Sequence, residues 1–147
     1  MGTYTRIIYH VVFATRRRER TLTKEGRIKL FAYMIGILQK KKCYLYIING
    51  VEDHIHILFD LHPDITLSSL IKDIKMASTV FIKQEKLFPN FRGWQEGFGA
   101  FTVSSQSKER VIEYIENQEQ RHMNMDSKQE QIDLLNEAKI KFDEKYL

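Results

Sequence analysis

The stretch Cys43-Tyr-Leu-Tyr-Ile-Ile-Asn-Gly-Val-Glu-Asp-His-Ile-His-Ile-Leu-Phe-Asp-Leu61 decides how this chain folds. Two β-prone runs meet at Asn49-Gly50, a pair that favours a tight hairpin turn, so the runs are expected to pair antiparallel. Alternate side chains of a strand point to one face, so His54 and His56 project together. Ile55 and Ile57 then turn the other way, into a core. Two imidazoles on one face are a natural start for a metal site. Read by itself, such a pair is more commonly one buried and one exposed histidine with no shared role, because short motifs match by chance.

Upstream, Tyr4 to Ala14 is rich in β-branched and aromatic residues and reads as a first strand. Arg16, Arg17, Arg18 and Arg20 form a basic turn, either a solvated loop or a surface for phosphates. Thr23 can cap a helix in which Ile28, Phe31, Ile35 and Leu38 recur at helical spacing, ending near Lys41.

Downstream, Pro63 closes the histidine strand, and Thr66 or Ser68 can cap a second helix. Its apolar face is Leu67, Leu70, Ile71, Ile74, Val80 and Phe81, and it also carries Lys72 and Lys75. A loop containing Arg92 leads to a fourth strand over Trp94 to Ser104, whose glycines suggest a bulge. Ser107 caps a third helix with the stripe Val111, Ile112 and Ile115, and a last helix is expected from about Ser127 to Tyr146.

The order strand, helix, strand, strand, helix, strand, helix, helix defines an α+β chain. Its first six elements match a ferredoxin-like antiparallel sheet with helices on one face, followed by C-terminal helices. That layout leaves the other face open, and the sequence does not say which side the histidines occupy.

The chain has 147 residues, enough for one domain with a real core, taken as residues 1–147 with a core at about 4–122 and a helical tail at about 126–147. Hydrophobic residues at 43% and charged residues at 29% exclude a disordered chain. A net charge of +4 permits a polyanionic partner. The single cysteine, Cys43, excludes an internal disulfide and a Cys-Cys metal pair. No segment reaches the ~18 consecutive apolar residues of a membrane span, and the N-terminal stretch lacks the pattern of a signal peptide. A cytoplasmic location is the expectation.

The third helix contains Tyr114 and Gln118, four residues apart and therefore on one helical face. Taken alone, Tyr114 is a partly buried aromatic. Taken with the histidines, Gln118 offers an amide oxygen as a third ligand for a divalent ion held by His54 and His56. Tyr114 would then stand one turn away, placed to attack a phosphate. A phenol with a pKa near ~10 is a poor nucleophile at neutral pH, so the ion would have to polarise the phosphate and steady the departing oxygen. A phosphotyrosine ester conserves the cleaved bond for rejoining, so no ATP is needed.

His54-Ile55-His56 resembles the histidine-hydrophobic-histidine (HUH) motif, and Tyr114-Ile-Glu-Asn-Gln118 resembles the tyrosine helix of the single-tyrosine HUH transposases of small bacterial insertion sequences. That group includes relatives associated with repetitive extragenic palindromes. Tyr9-His10-Val11-Val12-Phe13, Lys75 and the stretch Trp94 to Ser104 also resemble the family, so the likeness runs from about Tyr4 to His122. Phe98, where a tyrosine is common, and Arg121-His122, where His-His is frequent, depart from it.

The resemblance implies a ferredoxin-like domain, dimers joined through sheet edges, and binding of single-stranded DNA hairpins at element ends. It implies cleavage by the tyrosine to a 5′-phosphotyrosine and a free 3′ hydroxyl, followed by rejoining, with Mg²⁺ or Mn²⁺ as the ion. It makes His54, His56 and Gln118 metal ligands and Tyr114 the nucleophile, in some members completing the site of the other subunit. Arg16, Arg17, Arg18, Lys72, Lys75 and Arg92 are candidates for DNA phosphates. Asp53 is either an orienting partner of His54 or an ordinary turn residue. His10 either borders the site or, more commonly for such a residue, is a packed strand histidine, and Trp94, Phe98 and Phe101 read as core before base-stacking platforms. A competing class is a non-enzymatic binder of single-stranded nucleic acid. A structural zinc protein fits less well, because such sites usually contain thiolates.

Overall fold

A computed structural model describes residues 2–147. Four strands, β1 (Ile8–Ala14), β2 (Tyr44–Gly50), β3 (His54–Asp60) and β4 (Gly99–Thr102), form one sheet in the order β2-β3-β1-β4. Every neighbouring pair is antiparallel. β1 and β2 therefore run the same way with β3 inserted between them, which is the split βαβ of a ferredoxin-like sheet. Five helices accompany the strands: α1 (Lys24–Lys40), α2 (Leu67–Glu85), α3 (Lys108–Glu116), α4 (Gln118–Arg121) and α5 (Ser127–Glu137).

Strand period decides which helices cover which face. On one side Val11, Phe13, Ile55, Ile57 and Phe59 meet Leu30, Met34 and Leu38 of α1 and Leu70, Ile71, Ile74 and Ile82 of α2 in the main core. On the other side Ile8 and Leu58 receive Ile115 of α3, with Val111 and Ile112 packed alongside. The second face is thus covered rather than open, and it is the face toward which His54 and His56 project. Burying Ile55, Ile57 and Phe59 stabilises the sheet by roughly 1.5–3 kcal/mol each. A one-residue slip of β3 would move all three out of the core and drive the imidazoles in, so the register is strongly fixed.

The hairpin does not turn at Asn49-Gly50. Both residues are inside β2, paired with His56 and Ile55, and the chain reverses over 51–53, closed by Val51 N–H donating to His54 O at 3.1 Å. Glycine at 50 answers a close approach instead: an added Cβ would lie 2.4 Å from His54 O. Asn49 turns its side chain across the sheet, where Nδ2 donates to Ile115 O at 2.9 Å and Glu116 O at 3.2 Å. These carbonyls lie in the last turn of α3, where i+4 donors run out, so a residue expected in a turn anchors the third helix.

Other boundaries shift for equally local reasons. Thr66 caps α2, accepting from Ser69 N–H, whereas Thr23 precedes α1 without a side-chain cap bond. α1 buries Arg27 together with Leu30, Met34 and Leu38, which leaves Ile28 70% exposed; Val80 of α2 is likewise off its stripe. Gly97, with φ +84°, turns the chain and reduces the expected fourth strand to Gly99–Thr102, leaving Trp94 in an isolated bridge to Thr15. The sheet's register shift lies in β2, between Leu45 and Ile47. Ser107 stands at the N-cap of α3 as expected but makes no side-chain cap bond, and its own N–H donates to Ser104 Oγ. α5 begins at an Asp126 side-chain cap and stops at Glu137, where Lys139 adopts φ +58° and Ile140 N–H closes on Leu135 O.

Gly50→Ala is expected to destabilise the protein by about 1–3 kcal/mol, the usual cost of overpacking. Gly36→Ala, where nothing lies within 4 Å of the added Cβ, is expected to stabilise α1 by roughly 0.5–1 kcal/mol. Urea denaturation of both variants checks the pair; a neutral Gly50→Ala would contradict the observed register.

Candidate active site

His54 and His56 are 1% and 0% exposed, and each has both ring nitrogens engaged. His54 Nδ1–H donates to Asp53 Oδ1 at 2.7 Å, and Asp53 Oδ2 in turn accepts from Ser127 Oγ at 2.9 Å. His56 Nδ1 faces His10 Nε2 at 2.8 Å, the two rings being stacked with centroids 5.0 Å apart. His10 therefore borders the site. Asp53 is an orienting partner of His54 and not only a turn residue.

The Nε2 atoms of both histidines aim at one point occupied by a side chain that the sequence reading did not single out. Glu130 Oε1 lies 3.0 Å from His54 Nε2, 3.1 Å from His56 Nε2 and 3.0 Å from His122 Nε2. Its second oxygen accepts the Tyr114 hydroxyl and, at 3.0 Å, Gln118 Nε2. Arg121 Nε stands 3.1 Å from that same oxygen without donating to it, and its guanidinium lies over the Tyr114 ring. Gln118 Oε1 is 3.1 Å from His54 Nε2. Tyr114 and Gln118 thus face the histidines together, although a break at Asn117 separates α3 from α4. All of these residues come together within one chain.

Glu130 was legible only faintly. It sits on the buried side of α5 with Ser127 and Leu135, so the hint was a carboxylate on an apolar stripe. A carboxylate 1% exposed is costly unless fully partnered, and here His54, His56, His122, Tyr114 and Gln118 are the partners.

Electrostatics follow from this crowding. Burial opposes charge on His54, but hydrogen bonds to Asp53 and Glu130 outweigh it and raise its pKa to about 9. Burial lowers His56 to about 4 despite Glu130, and lowers His10 to about 3 with His56 adding to the effect. For Glu130 burial favours the acid, yet the bonds from His122, His54 and His56 hold it far below the usual carboxylate range. Tyr114 is pushed above an ordinary phenol, first by burial and then by the Glu130 carboxylate.

The basic candidates are not gathered at this point. Arg16 and Arg17 are exposed, while Arg18 donates to Ser127 Oγ at 2.9 Å and to Gln131, tying the arginine turn to α5. Lys72 is exposed on α2, across the sheet from the histidines. Lys75 spends its ammonium on the carbonyls of Gln95 and Gly97, and Arg92 is exposed in its loop. Trp94 packs against Phe13 and Phe91 as an aromatic cluster. Phe101 lies beside His10, and Phe98 is 37% exposed.

A ferredoxin-like sheet with a histidine pair on its central strand and a tyrosine helix laid across that face defines the class of HUH enzymes. The family model "Transposase IS200 like" matches residues 3–118, and the chain belongs to this family. The ISDra2 transposase TnpA of Deinococcus radiodurans is 24% identical over 115 residues, 75% of this chain and 82% of that protein. A crystal structure of a D. radiodurans R1 transposase superposes with TM-score 0.62 at 24% identity, covering 80% of this chain and 95% of that one. A REP-associated tyrosine transposase bound to a REP hairpin gives TM-score 0.62 at 18% identity, covering 83% and 74%. His122 and Glu130 lie beyond the stretch that the family model matches.

With a chelator present, the histidines tie stability to pH in opposite senses. His10 and His56 stay neutral when folded, so below pH 6.5 the unfolded chain binds protons that the folded chain refuses. Stability is then lost as the pH falls toward about 4 and about 3. His54 holds its proton when folded; its contribution is complete below 6.5 and lost as the pH rises through about 9. The melting temperature should therefore peak near pH 6.5, and His10→Phe should flatten the acid limb. A melting temperature that rises steadily from pH 6.5 down to 4 would contradict this.

Proposed function

We propose that this transposase works on single-stranded DNA: it binds a hairpin, cuts the adjoining strand by attack of Tyr114, and rejoins the ends. The observation that carries the reading is the shared carboxylate of Glu130, which receives the Tyr114 hydroxyl on one oxygen and His54 and His56 on the other. Nucleophile and histidine pair meet at one buried point. Hairpin DNA is the form to test first, since a solved structure of similar fold is bound to a REP hairpin.

A divalent ion, Mg²⁺ or Mn²⁺, would be held by His54, His56 and Gln118. The donor set fits. Both imidazoles keep Nε2 directed inward while Nδ1 is held by Asp53 or His10, the arrangement that orients metal-ligating histidines. When bound, the ion polarises the scissile phosphate and offsets charge on the departing oxygen. In the cut, a bond forms between Tyr114 Oη and phosphorus as the bond from phosphorus to the 3′ oxygen breaks. The phenol gives up its proton and the 3′ oxygen gains one. The products are a 5′-phosphotyrosine on Tyr114 and a free 3′ hydroxyl, and reversal on a new 3′ hydroxyl rejoins strands. The carboxylate of Glu130 and the Arg121 guanidinium fix the phenol ring during the attack.

Arg16, Arg17, Lys72 and Arg92 are the exposed cations for DNA phosphates, with Arg18 and Lys75 serving mainly to hold loops. A homodimer would form through β2 or β4, each paired on one side only. The single-chain contact of Tyr114 with Glu130 favours catalysis within one subunit. Among the described residues no helix is long and apolar enough to cross a membrane, and a DNA substrate suits the cytoplasm.

A labelled hairpin oligonucleotide incubated with the protein and Mg²⁺ or Mn²⁺ should yield a covalent adduct that resists denaturing electrophoresis. Tyr114→Phe should yield none, and His56→Ala about a hundredfold less or lower still, matching the several kcal/mol that a metal supplies. An undiminished adduct from Tyr114→Phe would remove Tyr114 as the nucleophile. Salt-sensitive DNA binding with no adduct from the unmodified chain would favour a non-enzymatic binder.

A further inference from the structure

Three Nε2 atoms, from His54, His56 and His122, converge on one oxygen, and that oxygen is a carboxylate from α5. Each of the three rings has a partner on its other nitrogen: Asp53 for His54, His10 for His56, and the Met125 carbonyl for His122. His122 and Glu130 lie outside residues 3–118, the stretch that the family model matches. His54, His122 and Glu130 present ligand atoms that all lie within 4.8 Å of one another.

We infer that His122 and Glu130 are ligands in the metal centre of this chain, and that the resulting set of three imidazoles and a carboxylate selects a first-row transition ion over Mg²⁺. The inference rests on the reading of His54 and His56 as metal ligands and extends that site through the C-terminal helix. Mg²⁺ prefers oxygen donors and keeps several waters, whereas imidazole nitrogens suit transition ions. A set dominated by nitrogen therefore discriminates by chemistry and not by size alone.

Glu130 has to be distinguished from a carboxylate that merely fills the space an ion would take. Its surroundings favour a ligand. α5 is fastened beside it by contacts that do not involve its side chain: Ser127 Oγ donates to Asp53, and Arg18 donates to Ser127 and Gln131. Glu130 is 1% exposed, so its carboxylate sits out of contact with water. An ion bound through Glu130 would replace its hydrogen bonds to His54 and His56 with stronger metal–ligand bonds, so ion binding should tighten α5 on the sheet.

The test uses the full chain without DNA, titrated with Co²⁺ and followed by its visible absorption. We expect one ion per chain, retained against about a hundredfold excess of Mg²⁺, and slower amide exchange across α5 once the ion is bound. Glu130→Gln and His122→Ala should each weaken Co²⁺ binding at least about tenfold. Circular dichroism establishes that each variant is folded, and either variant alone suffices if the other fails to fold. Unchanged or tighter binding by Glu130→Gln, or unchanged or faster α5 exchange with Co²⁺, would show that the carboxylate is a stand-in and overturn its role as ligand. Displacement of Co²⁺ by equimolar Mg²⁺ would overturn the ion preference. A chain that binds Co²⁺ as expected yet forms no DNA adduct would undo the strand-transfer reading and leave this ligand set standing.

Discussion

The two-residue period of β3 is the constraint on which fold and site both depend. Ile55, Ile57 and Phe59 commit one side of the strand to the α1–α2 core. The same geometry leaves His54 and His56 no direction but the opposite face. Because β3 is paired on both edges, by β2 and by β1, it cannot rotate to relieve a poor fit. Fully buried imidazoles must then find polar partners on that face. The polar groups gathered around them on the far side of the sheet meet that demand.

Partners arrive from three directions. β1 contributes His10 across the ladder, the hairpin contributes Asp53, and the C-terminal segment contributes Gln118 and Glu130. Glu130 is as dependent on the histidines as they are on it. A buried carboxylate with one partner removed costs several kcal/mol, whereas the satisfied cluster fixes a single arrangement. The tyrosine helix is held by separate means, through Ile115 against Ile8 and Leu58 and through Asn49 at its C-terminal carbonyls. Tyr114 can therefore be presented to the cluster by a helix whose position does not rely on its own hydroxyl.

Much of this was legible in the chain itself, for physical reasons that can be named. Strand alternation and helical spacing are local signals, and they gave the element order, the direction of Ile55 and Ile57, and the shared face of Tyr114 and Gln118. The Thr66 cap was readable because its bond spans three residues. What escaped was non-local. Asn49 looked like a turn residue because its true partners, Ile115 and Glu116, lie far along the sequence. Gly50 was explained by a clash with His54 that only the folded hairpin creates. Glu130 lay in a helix rich in glutamine and glutamate, where a solvated face is the ordinary reading, and its burial depends on three histidines from elsewhere. The covering of the second face went unseen for the same reason, since α3 and α5 carry too short an apolar stripe to announce what they pack on.

The central claim is that His54, His56 and Tyr114 of one chain form one strand-transfer site. Mixing tests it directly. Tyr114→Phe protein is combined with protein carrying His54→Ala and His56→Ala, under conditions that allow subunits to exchange, and covalent adduct on a labelled hairpin is measured. A site built within one chain predicts that the mixture forms no more adduct than either variant alone. Recovery of adduct toward about a quarter to a half of the unmodified level, as random pairing of two defective subunits allows when sites are shared, would contradict it and place the tyrosine in the partner's site.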